Sequence, residues 1–141
     1  RDLAEKKGIS FEDQSIGSFA NDERQKHHEG IWADRTISNI THDNTVIDGV
    51  RSTVEVSIFR SELGDLKVVA IHAPPKSRFE RLKERGREDA PQTWEEFNDR
   101  DYRELDWGLG RVIARADHMI INDGSLKEFY SKARELLDRL S

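Results

Sequence analysis

The chain has 141 residues, 23 Lys and Arg against 28 Asp and Glu, and a formal net charge of −5, with charged residues at 36% against roughly 25% in an ordinary soluble domain. It contains no cysteine, which excludes disulfide scaffolds, cysteine zinc sites and thiol nucleophiles. No apolar run approaches the ~20 residues of a membrane span, and the net acidity argues against a general nucleic-acid binder.

The length is that of one domain. The chain opens on Arg1 rather than Met, inside a helix-like stretch (Arg-Asp-Leu-Ala-Glu-Lys-Lys) closed by Gly8, so a clipped N-terminus is expected. With no leader peptide in view, a cytoplasmic setting is expected. Ser10-Phe-Glu-Asp13 has capping-box spacing and starts a helix running to about Glu29, where Gly30 breaks it. Ile31 to Ile40 is again helical, and Thr41 to Asn44 is a polar loop. Thr45-Val-Ile-Asp48, ended by Gly49, reads as a short buried strand that stops at a carboxylate. Ser52-Thr-Val-Glu55 is a second capping box, whose helix turns Val54, Ile58 and Phe59 inward and closes at Gly64. Leu66 to Ile71 is the second strand. Its unbroken Val68-Val-Ala-Ile71 run predicts cover on both faces, as in a parallel sheet.

Pro75 opens a helix that ends at Gly86, and Asp89 to Gln92 form a turn around Pro91. Thr93-Trp-Glu-Glu96 caps the next helix, with Trp94, Phe97 and Leu105 at helical spacing. Gly108 and Gly110 precede a further helical stretch, Val112 to Ala116, and Asp117 to Ile121 is the third strand. After a turn at 122–125, Ser125-Leu-Lys-Glu128 caps a closing helix with the stripe Leu126, Phe129, Tyr130, Ala133, Leu136, Leu137 and Leu140. Strands spaced this widely cannot pair through tight hairpins and need helical crossovers. The expected result is a three-layer α/β domain with a parallel sheet.

Ligands of such sheets sit beyond the carboxyl ends of the strands, which singles out Asp48, Gly49 and Arg51, then His72, then Asn122 and Asp123. A carboxylate at the tip of a buried strand is costly without a task. Asp48 reads either as a metal-water ligand beside a phosphate or as a turn cap paired with Arg51. Gly49 would let the backbone approach a ligand, and the Arg51 guanidinium suits a phosphate's bidentate geometry. Arg78, Arg81 and Arg85 share one helical face, with Arg87 just beyond. An anion opposite them suits phosphoryl transfer, whereas the interspersed Glu80, Glu84, Glu88 and Asp89 suit a solvated face. Arg100 and Arg103 repeat the i, i+3 spacing, with a surface ion-pair ladder as the alternative. His27 and His28 point apart on a helix and make no metal pair, and there is no nucleophile elbow. Trp32, Trp94 and Trp107 read as core packing, with base stacking open to one of them.

Val46-Ile-Asp-Gly-Val-Arg51, Ala70-Ile-His-Ala-Pro-Pro75, Arg78-Phe-Glu-Arg-Leu-Lys-Glu-Arg-Gly-Arg-Glu-Asp89, Trp94-Glu-Glu-Phe97, Arg100-Asp-Tyr-Arg-Glu-Leu105 and Ala116-Asp-His-Met-Ile-Ile-Asn-Asp-Gly-Ser125 together resemble the archaeal adenylate-kinase-related proteins. These form a P-loop family labelled as nucleotide kinases and similar to dephospho-CoA kinase. The likeness runs from Arg1 to the end and is most specific at 46–51 and 78–89. It implies a three-layer P-loop nucleotide-kinase-like fold over 1–141, a single domain incomplete at its N-terminus, with a short lid at about 78–92. The implied activity is ATP-dependent phosphoryl transfer to a nucleotide or nucleotide-like acceptor, with ATP and Mg²⁺ as cofactors. In that resemblance Asp48 lies near Mg²⁺ through water, and Gly49 and Arg51 serve the acceptor. Arg81, Arg85 and Arg87 clamp the transferred phosphoryl group, Arg100 and Arg103 have a similar task, and Arg1 touches the acceptor phosphate. The family's phosphate-binding loop, G-x-x-G-x-G-K-[ST], does not occur in these 141 residues. In the family's strand order the strand carrying it lies between 45–48 and 66–71. The 141 residues by themselves are therefore expected to transfer no phosphate. The alternative is a non-kinase NTPase-like module that senses nucleotide or binds RNA through Arg78–Arg87.

Overall fold

Glycine, proline and capping residues set most element boundaries. The computed structural model describes residues 16–42, 44–87 and 90–140, so Arg1 and the Ser10–Asp13 box lie outside the described residues. These residues fall into two compact units, the first comprising the chain up to Val50 with Val54–Gly64, the second comprising Arg51–Thr53 with the chain from Asp65 onward.

In the first unit, helices α1 (Ile16–Lys26), α2 (Ile31–Ile37) and α3 (Thr53–Leu63, counted from Val54) surround a small core of Phe19, Ala33 and Phe59. Gly30 caps α2 where Ile58 and Val54 of α3 press against its backbone; a Cβ there would overlap Ile58 Cδ1. The Trp32 ring stands edge-on to Phe19 at 6.0 Å and donates Nε1–H to the Ala20 carbonyl at 3.0 Å. Two carboxylates are buried here, Glu23 and Glu55. Buried charge needs a partner, and each has an arginine: Arg35 Nη2 lies 2.7 Å from Glu23, and Arg24 Nη2 lies 3.2 Å from Glu55.

Two expectations change in this unit. The helix expected to run to Ile40 stops at Ile37. The strand expected at Thr45–Asp48 does not form: residues 45–50 have no regular structure, Val46 is 86% exposed and Asp48 is exposed. A β-rich tetrapeptide becomes a strand only when a neighbour accepts its backbone groups, and among the described residues none does.

The second unit is α/β. Strands β1 (Val69–His72) and β2 (His118–Ile121) pair in parallel, Val69 opposite His118 and His72 opposite Ile121. The expected parallel pairing is present, with both strands shorter than expected. Asp117 fixes the register at its amino end, its carboxylate accepting from the Val68 amide at 2.8 Å while its own amide donates to the Val68 carbonyl at 2.9 Å. The crossover carries α4 (Pro75–Arg85), α5 (Trp94–Asp106) and α6 (Leu109–Ala114), and α7 (Leu126–Leu140) follows β2. Helix α6 packs on β1 and α7 on β2. Ala70 and Ile120 are buried, but Val69, Ile71, Met119 and Ile121 are exposed. The expected cover on both faces is thus only partial, because among the described residues the sheet has two strands and β1 pairs with β2 alone. The closing stripe is likewise half-used: Leu136 is buried, while Leu126, Tyr130 and Leu137 face outward.

Helices α4 and α5 form a hairpin. Pro75 starts α4, and Gly86 ends it at φ 59°, the left-handed conformation glycine adopts freely. The Thr93 box opens α5, with the Thr93 hydroxyl accepting from the Glu96 amide at 3.2 Å and the Glu96 carboxylate accepting from the Thr93 amide at 3.4 Å. Phe79 packs on Trp94 and Phe97, with ring centroids 5.5 and 5.6 Å away. Phe97 is 2% exposed and is the pivot of the hairpin.

Candidate functional site

The carboxyl ends of β1 and β2 lie side by side, since the Asn122 amide donates to the His72 carbonyl at 2.7 Å. Both chains leave the sheet at this end. One continues through Ala73 and Pro74 into α4; the other continues through Asn122, Asp123 and Gly124 into α7. The second turn is tightly built. Glu128 accepts from the Ser125 amide at 2.6 Å and its hydroxyl at 2.7 Å. The hydroxyl first, then the amide, hold the Glu128 carboxyl below its ordinary value. A side chain at Gly124 would overlap that carboxylate.

Cations cap the carbonyl groups left at these ends. Arg78 donates Nε–H to the Ala73 carbonyl at 3.1 Å and grips the Asp101 carboxylate of α5 with both terminal nitrogens, its guanidinium 5.2 Å from the Phe97 ring. Arg81 donates Nη1–H to the Asn122 carbonyl at 2.8 Å and Nη2–H to the Gly124 carbonyl at 3.0 Å. Lys132 donates to the Ile121 carbonyl at 2.8 Å and stands 3.6 Å from Asp123. The result is a hairpin that rises from the end of β1 and is strapped by Arg81 to the loop after β2.

The arginine face of α4 therefore divides. Arg78 and Arg81 are struts. Arg85, in the last turn, and Arg87, just past Gly86, are both exposed, and neither has a carboxylate partner among the described residues. Arg100 is half-buried and Arg103 exposed, both on α5. At 1.5 Å per residue they lie about 9 and 14 Å along the axis from Trp94, toward the other end of the hairpin. Arg85 and Arg87 share the loop end; Arg100 and Arg103 do not join them.

The remaining predicted residues divide between the two units. Asp48 and Gly49 belong to the first unit, Gly49 at φ 87° with open space about its Cα. Arg51 belongs to the second, where its Nε lies 2.6 Å from Glu104 and its guanidinium 5.7 Å from the Trp107 ring. His72 is exposed at the strand end. Among the described residues, no group of three or more His, Asp or Glu is placed to hold a metal ion. No described helix is long and apolar enough to cross a membrane.

Sequence reasoning missed Asp101 and Glu104, which orient Arg78 and Arg51. A long-range partner leaves no mark in local spacing. Core packing, the first reading of Trp94, is only partial, since the residue is 44% exposed.

No family model matches the chain. Among curated proteins, it is 44% identical over 144 residues to a UPF0200 protein of Hyperthermus butylicus, a match covering the whole chain and 77% of that relative. A UPF0200 protein of Thermoplasma acidophilum is 47% identical over 138 residues, covering 97% of the chain and 76% of the relative. One from Thermococcus gammatolerans is 56% identical over 97 residues, about half of its own length.

Proposed function

We propose that this chain, which belongs to the UPF0200 family of archaeal proteins, supplies the acceptor and lid portion of a P-loop nucleotide-kinase-like phosphotransferase acting on a nucleotide or nucleotide-like acceptor. The observation carrying this reading is the division of the α4 arginines. Arg81 straps a helical hairpin to the carboxyl ends of two parallel strands, and Arg85 and Arg87 are exposed at its loop end with no carboxylate partner among the described residues. Charge in phosphoryl transfer spreads over the oxygens of the moving group, and guanidinium groups held in place lower its cost. A hairpin hinged at the strand ends also serves to exclude water once a ligand is bound. The open edge of β1 suits a further parallel strand, as the family resemblance implies.

The residues present do not make a complete ATP–Mg²⁺ site. The 141 residues contain no phosphate-binding loop, and among the described residues no acidic cluster fits a metal. No step is therefore routed through ATP here. The part of this chain is to bind the acceptor, bring cations to its phosphate and shield it. Transfer is assigned to the protein that joins this region to the rest of the family's chain. Binding without transfer, as in a nucleotide-sensing module, is the second reading.

The test is a transfer assay on the whole Thermoplasma acidophilum relative, with labelled ATP, Mg²⁺ and a panel including AMP and dephospho-CoA. Acceptor-dependent label transfer supports the kinase reading. Slow hydrolysis that ignores every acceptor supports the sensor, and neither activity removes both.

A further inference from the structure

Trp94 is the largest aromatic side chain left substantially open among the described residues, and its setting is constructed. One ring face stacks on Phe97 at 5.1 Å with an interplanar angle of 25°, and the Phe79 ring stands edge-on to it at 5.5 Å and 77°. Phe97 is itself 2% exposed. The indole is thus held by a rigid aromatic base while 44% of the side chain faces water. Covering this open ring face with a second flat ring would be favourable.

The neighbourhood is cationic on one side. Lys83 Nζ lies 5.4 Å from the Phe79 ring centroid. Trp94 is the first residue of α5, and Arg85 is the last of α4, so both stand at the loop end of the hairpin with Arg87 between them in sequence. The Arg87 carbonyl accepts from the Ala90 amide at 2.9 Å, and Ala90 and Pro91 are buried. The α5 N-terminus is not an anion site: Glu96 closes it, accepting from the Gln92 amide at 2.7 Å.

We infer that the open face of Trp94 is a stacking platform for the nucleobase of a mononucleotide, whose phosphate is reached by Arg85 and Arg87. This rests on the reading of those two arginines as phosphate-facing and adds the surface on which the acceptor's base stacks. Base stacking on an aromatic ring is sequence-tolerant and strong enough to decide affinity. A single strand of RNA fits less well, since it needs successive platforms along a basic track. This chain offers one exposed tryptophan among its described residues and a net charge of −5.

The experiment is a fluorescence titration of the protein with AMP, ribose 5-phosphate and inorganic phosphate, repeated on Trp94→Phe and Trp94→Leu. AMP should quench the wild-type emission. Trp94→Phe, which keeps an aromatic face, should bind AMP within a few-fold by calorimetry but lose the quench. Trp94→Leu should weaken AMP by about tenfold or more, with ribose 5-phosphate unaffected by either change. Quenching that persists in Trp94→Phe, or equal AMP affinity in Trp94→Leu, overturns the platform. So does a short RNA that binds more tightly than AMP with steep salt dependence. Acceptor phosphorylation by the whole relative without any Trp94 signal sinks this inference and leaves the proposed function standing; a Trp94-dependent AMP signal without transfer does the reverse.

Discussion

Phe97→Ala tests whether the α4–α5 hairpin is held from one point. Phe97 is 2% exposed and touches the rings of Phe79 at 5.6 Å and Trp94 at 5.1 Å, with the Arg78 guanidinium 5.2 Å above it. Truncating a fully buried phenylalanine removes its transfer free energy and leaves a cavity, together about 3–5 kcal/mol. Each lost ring pair adds roughly 0.5–1.5 kcal/mol, which places this site at the upper end of the range. Against a typical total stability of about 5–15 kcal/mol, that is a large share. Urea unfolding followed by circular dichroism should show the midpoint falling by the corresponding amount with the slope unchanged. Trp94→Ala is the internal control. With 44% of its side chain already in water, it should cost clearly less. A Phe97→Ala loss under about 2 kcal/mol, or one smaller than that of Trp94→Ala, refutes the reasoning.

Glu55→Ala removes a carboxylate partner of Arg24, whose side chain is 11% exposed; the loss should reach about 3 kcal/mol in urea titration. Gly30→Ala inserts a methyl group where Ile58 Cδ1 sits and should cost about 1–3 kcal/mol by the same measurement. Glu128 should titrate below its ordinary 4.5 in NMR, and Ser125→Ala should return it toward that value. Its folded-state value is depressed, so its contribution to stability is present above 4.5 and is lost as pH falls through the lower folded value. Glu128→Gln should therefore flatten the acid limb of the stability profile.

Capping chemistry was the most legible feature of the sequence. The Thr93 and Ser125 boxes, Pro75 and Gly86 set helix boundaries that the structure repeats, because those signals act within one turn. The parallel relation of the strands at 66–71 and 117–121 also followed from the helical crossover that separates them. What failed depended on distant partners. The 45–48 strand needed a neighbour that local composition does not report. The Arg51–Glu104 pair, more than fifty residues apart in sequence, was equally invisible to local spacing. The arginine face of α4 looked uniform by spacing, yet Asp101 and the carbonyls of Asn122 and Gly124 engage two of its members, while Arg85 has no ion partner among the described residues.

The central claim is that Arg85 and Arg87 meet the phosphate of a nucleotide acceptor while Arg78 and Arg81 only hold the hairpin. The most direct measurement is the rate of label transfer from ATP to the acceptor by the whole protein and by its Arg85→Gln/Arg87→Gln variant, with circular dichroism confirming an intact fold. The predicted result is a fall in kcat of about a hundredfold or more with native thermal stability. Unchanged kcat in the double variant contradicts the account.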